Sequence, residues 1–208
     1  AINNGLEPLA KIIMSFPNEG NITSLTNKFI NDKVKNSEDA IMGAKYIIAE
    51  WISDNAFYRK WIRMFTYDNG LVVSKLKKNA TDNNKLYEMY YDYKESIKRI
   101  KPHRVLAINR GEKENILSVS IDIEKDRIIS YLENKIIKDS TSFVNEYIQD
   151  AISDSYKRLI EPSIEREIRS ELKDMSEEAA IDVFSRNVEK LLLQPPMKEK
   201  IVLGLDPA

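Results

Sequence analysis

Apolar residues recur at three- and four-residue spacing through most of this chain, and that period constrains the fold more than any other feature. The clearest run is Ala40, Ile41, Ala44, Ile47, Ile48, Trp51 and Ile52. Asn36 or Ser37 can cap it, and Glu38 and Asp39 suit the positive end of the helix dipole. Leu6, Leu9, Ile12 and Ile13 mark an earlier helix closed by Phe16-Pro17, and Ile22, Leu25, Phe29 and Ile30 a short second one. Asp54 can cap a further helix carrying Phe57, Trp61 and Phe65, which Asn69-Gly70 stops. The stretch from Leu86 to Ile100 predicts a helix rich in tyrosine, with Tyr87, Tyr90, Tyr91 and Tyr93. Pro102 opens another through Val105, Leu106 and Ile108 to Arg110-Gly111. Four more are predicted after residue 124. Ile128, Ile129, Leu132, Ile136 and Ile137 define the first. Phe143, Val144, Tyr147, Ile148, Ala151, Ile152 and Leu159 define the second. Pro162 heads the third, with Ile164, Ile168 and Leu172. Ser176 caps the fourth, with Ala179, Val183, Phe184, Val188 and Leu191.

Two short stretches read as strands. Leu117, Val119 and Ile121 alternate with Ser118, Ser120 and Asp122, and Leu71 to Leu76 reads as a short strand. The predicted fold class is mainly α: a multi-helical bundle or scaffold with helix-turn-helix character and a small β element near 115–122. The organisation expected is an N-terminal helical subdomain (1–67), a basic mixed segment (68–123), a C-terminal helical subdomain (124–194) and a tail (195–208). In that tail Gln194-Pro195-Pro196 leads as a linker to Ile201–Asp206, which resembles a buried strand severed from its domain.

Composition removes several function classes. The 208 residues hold no cysteine and one histidine, so disulfide frameworks, thiolate zinc sites and cysteine nucleophiles are excluded. No apolar run approaches the ~20 residues of a membrane span, and no signal segment opens the chain. A soluble cytoplasmic protein without metal or cofactor is expected. No glycine-rich phosphate loop and no Ser-His-Asp order is present. His103, between Pro102 and Arg104, is expected to cap or pack.

The formal net charge is −1, but it conceals a pattern. Residues 1–58 sum to −2, residues 59–113 to +8 and residues 114–208 to −7. The basic block holds eleven candidate phosphate-binding cations: Arg59, Lys60 and Arg63; Lys75, Lys77 and Lys78; Lys98, Arg99, Lys101, Arg104 and Arg110. Trp61, Tyr90, Tyr91 and Tyr93 are interleaved and could stack on bases, although the tyrosine spacing favours a buried helix face. Glu161, Glu165 and Glu167, with Arg166 and Arg169, read as solvated i, i+4 ladders. Asp206 ends the apolar strand where a two-metal nuclease would place a ligand, but a single carboxylate makes no site.

Five collinear segments together resemble one family. They are Gly5-Leu6-Glu7-Pro8-Leu9-Ala10; Ala44-Lys45-Tyr46-Ile47-Ile48-Ala49-Glu50; the run from His103 to Glu112; the run from Asp154 to Glu167; and Val202-Leu203-Gly204-Leu205-Asp206-Pro207. The sequence is similar to the Tex transcription accessory proteins of bacteria. That resemblance implies a much longer protein. Its parts would be an N-terminal helical region, a ribonuclease-H-like domain of YqgF type, helix-hairpin-helix modules and a C-terminal OB-type RNA-binding domain. It also implies nucleic-acid binding in transcription, with the ribonuclease-H-like domain not an active nuclease. The function expected here is therefore a non-catalytic helical scaffold, with RNA or DNA and the transcription machinery as partners. Two alternatives stand beside it: a protein-interaction module docking through the acidic face at 161–178, and a part of a metal-dependent nuclease using Asp206.

Overall fold

A computed structural model describes residues 5–31, 33–195, 201, 203 and 204. The chain is mainly α with a small antiparallel sheet. Its helices are α1 (Glu7–Met14), α2 (Ile22–Thr26), α3 (Ser37–Asp54), α4 (Ala56–Asn69), α5 (Pro102–Lys113), α6 (Lys125–Ile136), α7 (Asn145–Asp154) and α8 (Glu161–Leu192). The strands are β1 (Leu71–Leu76), β2 (Asp92–Ser96) and β3 (Leu117–Asp122), in the order β2-β1-β3.

Local chemistry explains most boundaries. The Asn36 side chain accepts the Asp39 N–H at 2.7 Å and starts α3, whose Ala40, Ala44, Ile47 and Ile48 are fully buried. Asn55, rather than the expected Asp54, caps α4: its Oδ1 accepts the N–H groups of Phe57 and Tyr58 at 3.0 and 3.2 Å. Asp54 is still inside α3, and the extended ψ of Asn55 turns the chain in a single residue. Gly70 then ends α4 as expected. A Cβ there would lie 2.4 Å from the Thr66 carbonyl oxygen and 2.7 Å from Ile97 Cδ1, so only glycine lets β1 leave so tightly.

β1 pairs with both neighbours, Val72 lying opposite Glu95 on one side and Ile121 on the other. Val72 and Val119 meet Val105, Ile108 and Leu172, so the inner sheet face packs on α5 and α8. The outer edge of β3 is covered by α8 side chains: Arg169 Nη1 donates to the Val119 carbonyl at 3.4 Å, and Glu165 lies beside Ile121. One continuous core runs from Leu6 to Leu172 through every helix from α1 to α8 except α2.

Two larger sequence expectations about the elements also fail. The tyrosine-rich stretch is not a helix. Lys85 takes φ 51°, and the Asp82 carboxylate accepts the N–H groups of Leu86 and Tyr87 and the Tyr91 hydroxyl. A short 3-10 turn at Glu88–Tyr90 then delivers the chain to β2. There Tyr93 and Glu95 are half-buried while Asp92 and Lys94 are exposed, which is a period of two hidden by the flanking tyrosines. The second failure is the break at Ser176. α8 runs unbroken for 32 residues, and Ser176 is buried, its hydroxyl donating to the Leu172 carbonyl at 2.6 Å inside the helix. A π-helical segment, Ser155–Ile160, joins α7 to α8 without a turn, anchored by the Ser155 hydroxyl on the Ala49 carbonyl at 2.7 Å. The strand expected at Ile201–Asp206 lies for the most part outside the described residues, and so does Asp206.

Candidate nucleic-acid interface

The structure divides the eleven cations into two sets. Six are engaged by the protein itself. Arg59 Nη2 donates to Ser163 Oγ at 2.8 Å, and Arg63 clasps α8 by donating to Glu167 at 2.5 Å and to Glu171. Lys98 pairs with Asp68 at 2.7 Å, closing the start of β2's exit loop onto the end of α4. Arg104 Nη1 donates to both Glu95 oxygens at 2.9 Å and to the Tyr93 hydroxyl at 3.4 Å. Arg110 pairs with Glu114 at 2.9 Å along α5, and Lys77 Nζ donates to Asn115 at 3.2 Å. The other five, Lys60, Lys75, Lys78, Arg99 and Lys101, are exposed and hold no salt bridge or side-chain hydrogen bond among the described residues.

These five do not form one patch. Lys75 sits near the end of β1, opposite Asp92 and Ser118, and Lys78 follows it. Arg99 and Lys101 lie past the other end of β2, beside the first turn of α5. The β1–β2 hairpin separates the two pairs by ~14 Å or more along the strands. Lys60 stands apart on α4.

The aromatic residues are internal partners. Trp61 stacks on Tyr131 at 3.6 Å and on Phe65 at 5.1 Å, with interplanar angles of 7° and 8°. Arg127 lies over the Phe65 ring and Lys135 over the Tyr131 ring, at 5.4 and 6.0 Å. Tyr90 and Tyr93 meet edge to face at 5.3 Å. Tyr87 is buried and donates to Glu114 at 2.8 Å. The stack and the tyrosine cluster hold elements together, with the Trp61, Phe65, Tyr90, Tyr93 and Tyr131 rings half-buried.

The ionisable groups tell the same story. Burial pushes the Tyr93 hydroxyl up to about 12, helped by its hydrogen bond to Glu95. Burial also acts to raise Glu95, but the hydrogen bonds from Tyr93 and Arg104 outweigh it and hold this carboxyl below the usual range. Glu165 goes the other way: burial raises it, and Arg169 only partly offsets that. His103 is exposed on the first turn of α5, where Lys101 is the N-cap residue, so it neither packs nor caps.

The carboxylates of α8 do more than decorate a solvated face. Glu161 pairs with Lys125 at 2.6 Å, Arg169 with Glu112, and Glu167 with Arg63. These contacts join residues far apart in sequence, and no local spacing announces them. Among the described residues no group of His, Cys, Asp or Glu could hold a metal ion, and no helix is long and apolar enough to cross a membrane.

Comparison with known proteins gives this architecture relatives. A family model described as Tex central region-like matches residues 19–184. An uncharacterized protein YdcI of Bacillus subtilis is 52% identical over the whole chain, which covers 29% of that protein. The protein tex of Bordetella pertussis is 28% identical over 98% of the chain and 27% of its own length. The human S1 RNA-binding domain-containing protein 1 is 29% identical over 98% of the chain and 22% of its own length. The chain thus spans less than a third of the relatives it matches. A match over most of its residues, together with a mainly helical frame of the expected kind, shows that this chain belongs to the Tex central region-like family.

Proposed function

We propose that this chain is the non-catalytic frame of a Tex-type transcription accessory protein of the cytoplasm, and that nucleic acid touches it only at its unengaged cations. The observation that carries this reading is the split of the basic block. Arg59, Arg63, Lys77, Lys98, Arg104 and Arg110 are bonded to neighbouring side chains, while Lys75, Lys78, Arg99 and Lys101, with Lys60, remain open to phosphate. The names of the relatives, a transcriptional accessory protein and an S1 RNA-binding domain protein, agree with a nucleic-acid partner. Backbone contact of this kind is weak and not sequence-selective. The test is fluorescence anisotropy of labelled duplex DNA and single-stranded RNA with this chain across a salt series. Each neutralised phosphate contributes about 0.9 to the slope of log K against log salt on duplex, so four or five contacts give about −4. No affinity at low salt, or affinity without a salt slope, would refute phosphate contact.

A further inference from the structure

The helical run from Asn145 through α7, the π-helical segment and α8 buries a residue at every fourth position. Ile148, Ile152, Tyr156, Ile160, Ile164, Ile168, Leu172 and Ser176 make seven such steps, and all eight residues are buried. An α-helix alone would wind this pattern off the body. Each four-residue step turns the stripe by ~40°, so seven steps would carry it ~280° around the axis. The π-helical segment Ser155–Ile160 takes part of that drift back. Its bonds reach five residues instead of four: the Glu161 N–H donates to the Tyr156 carbonyl. One such wide turn holds one residue more than an α turn and returns ~100°, leaving the buried arc at ~180°. The backbone stays helical across it, with Asp154, Ser155, Ile160 and Glu161 in the right-handed α region.

That rotation places α7 against α3, where Ser155 Oγ reaches the Ala49 carbonyl, and α8 against α4 and α5. Turned by a further ~100°, Glu167 and Glu171 would leave Arg63, and Arg169 would leave Glu112. Pro162 stands directly behind the wide turn, near the start of α8. It has no N–H, and in an α turn its ring would strike the carbonyl four residues back, that of Arg158. A π turn moves that carbonyl out from under the ring. Lys157, inside the segment, is exposed.

We infer that Ser155–Ile160 is a phase-setting joint, with Pro162 enforcing its wide turn and Lys157 as its spare position. The joint orients α8 on the body and so decides which carboxylates meet Arg63. It operates whether or not nucleic acid binds.

The test is a set of variants of this chain read by thermal unfolding in circular dichroism. Deleting Lys157 closes the joint to an α turn and keeps the phase of both flanks. With Pro162 in place that turn is blocked, so Tm should fall by about 6–12 °C, the effect of a proline inside a helix. Pro162→Ala alone should move Tm by less than about 3 °C, because the flanking contacts stay in place. The Lys157 deletion made in Pro162→Ala should stay within about 3 °C of that parent. Deleting Arg166, an exposed residue past the joint, turns Ile168 and Leu172 off the core. It should lower Tm further than the Lys157 deletion, with or without Pro162. Equal losses from the Lys157 deletion in both backgrounds would overturn the inference, as would a harmless deletion beside Pro162. A larger loss from Pro162→Ala alone, or tolerance of the Arg166 deletion, would also overturn it. If the single Lys157 deletion does not fold, a folded double variant supports the joint and an unfolded one refutes it.

Discussion

The proximal and distal stretches of α8 belong to one unbroken helix, yet they are held by different physics. From Glu161 to Ser176 the helix buries Ile164, Ile168 and Leu172, and other elements reach in to fix it: Arg63 from α4, Glu112 from α5 and Lys125 from α6. From Glu177 onward it makes only ion pairs within its own turns. Helical propensity and i, i+4 pairs suffice to continue a helix already nucleated by packing, because propagation is far easier than nucleation. The difference shows that a continuous helix is not a uniform structural unit.

Four substitutions test that contrast, from the largest effect down. Ile168 is fully buried, so Ile168→Ala should lower unfolding free energy by about 2–5 kcal/mol in chemical denaturation. A loss under 1 kcal/mol would mean the proximal stretch is not core. Arg169→Ala removes the partner of Glu112 and the donor to the Val119 carbonyl, and should cost about 1–2 kcal/mol while loosening the β3 edge in hydrogen exchange.

Glu165 carries a pH signature. Its folded pKa is raised, chiefly by burial, so the folded state holds the proton more tightly than the unfolded chain does. Ionised Glu165 therefore subtracts stability above its folded pKa, and the penalty disappears below the ordinary value of about 4.3. Glu165→Gln, which keeps the shape of the side chain, should raise Tm at pH 7 by about 1–2 °C, and the gain should fade as pH falls through that window. A gain that grows on acidification would reverse the assignment. In the distal stretch Ile181→Ser should change stability by no more than about 0.5 kcal/mol. A larger loss would mean that Ile181 is already buried in solution.

Much of the frame is legible in the sequence, and the failures share a cause. Asn36 as a cap, Gly70 as a stop, Pro102 as an opening and the alternation of Leu117, Val119 and Ile121 are local signals, and each holds. β2 is missed because Tyr87, Tyr90 and Tyr91 mimic a helical face while belonging to a turn that Asp82 organises from outside. Ser176 resembles a cap because an N-cap and a hydroxyl bonded back into a helix use the same residue type. The resemblance to Tex proteins rests on five short collinear runs, and the match over residues 19–184 bears it out. The candidate site was legible only as a sum of charge. Which cations are free depends on carboxylates such as Glu167, Glu171 and Glu95, and Glu167 lies 104 residues from Arg63 in sequence. A count along the chain cannot register that distance.

The most direct test compares two charge-neutralised variants of this chain in the same salt series. One carries Lys75→Gln, Lys78→Gln, Arg99→Gln and Lys101→Gln; the other carries Arg59→Gln, Arg63→Gln and Arg104→Gln. The first is expected to lose most of the salt slope, from about −4 toward zero, with Tm unchanged. The second should keep the slope and lose stability. A slope that survives in the first variant and collapses in the second would contradict the division of the basic block into contact and frame.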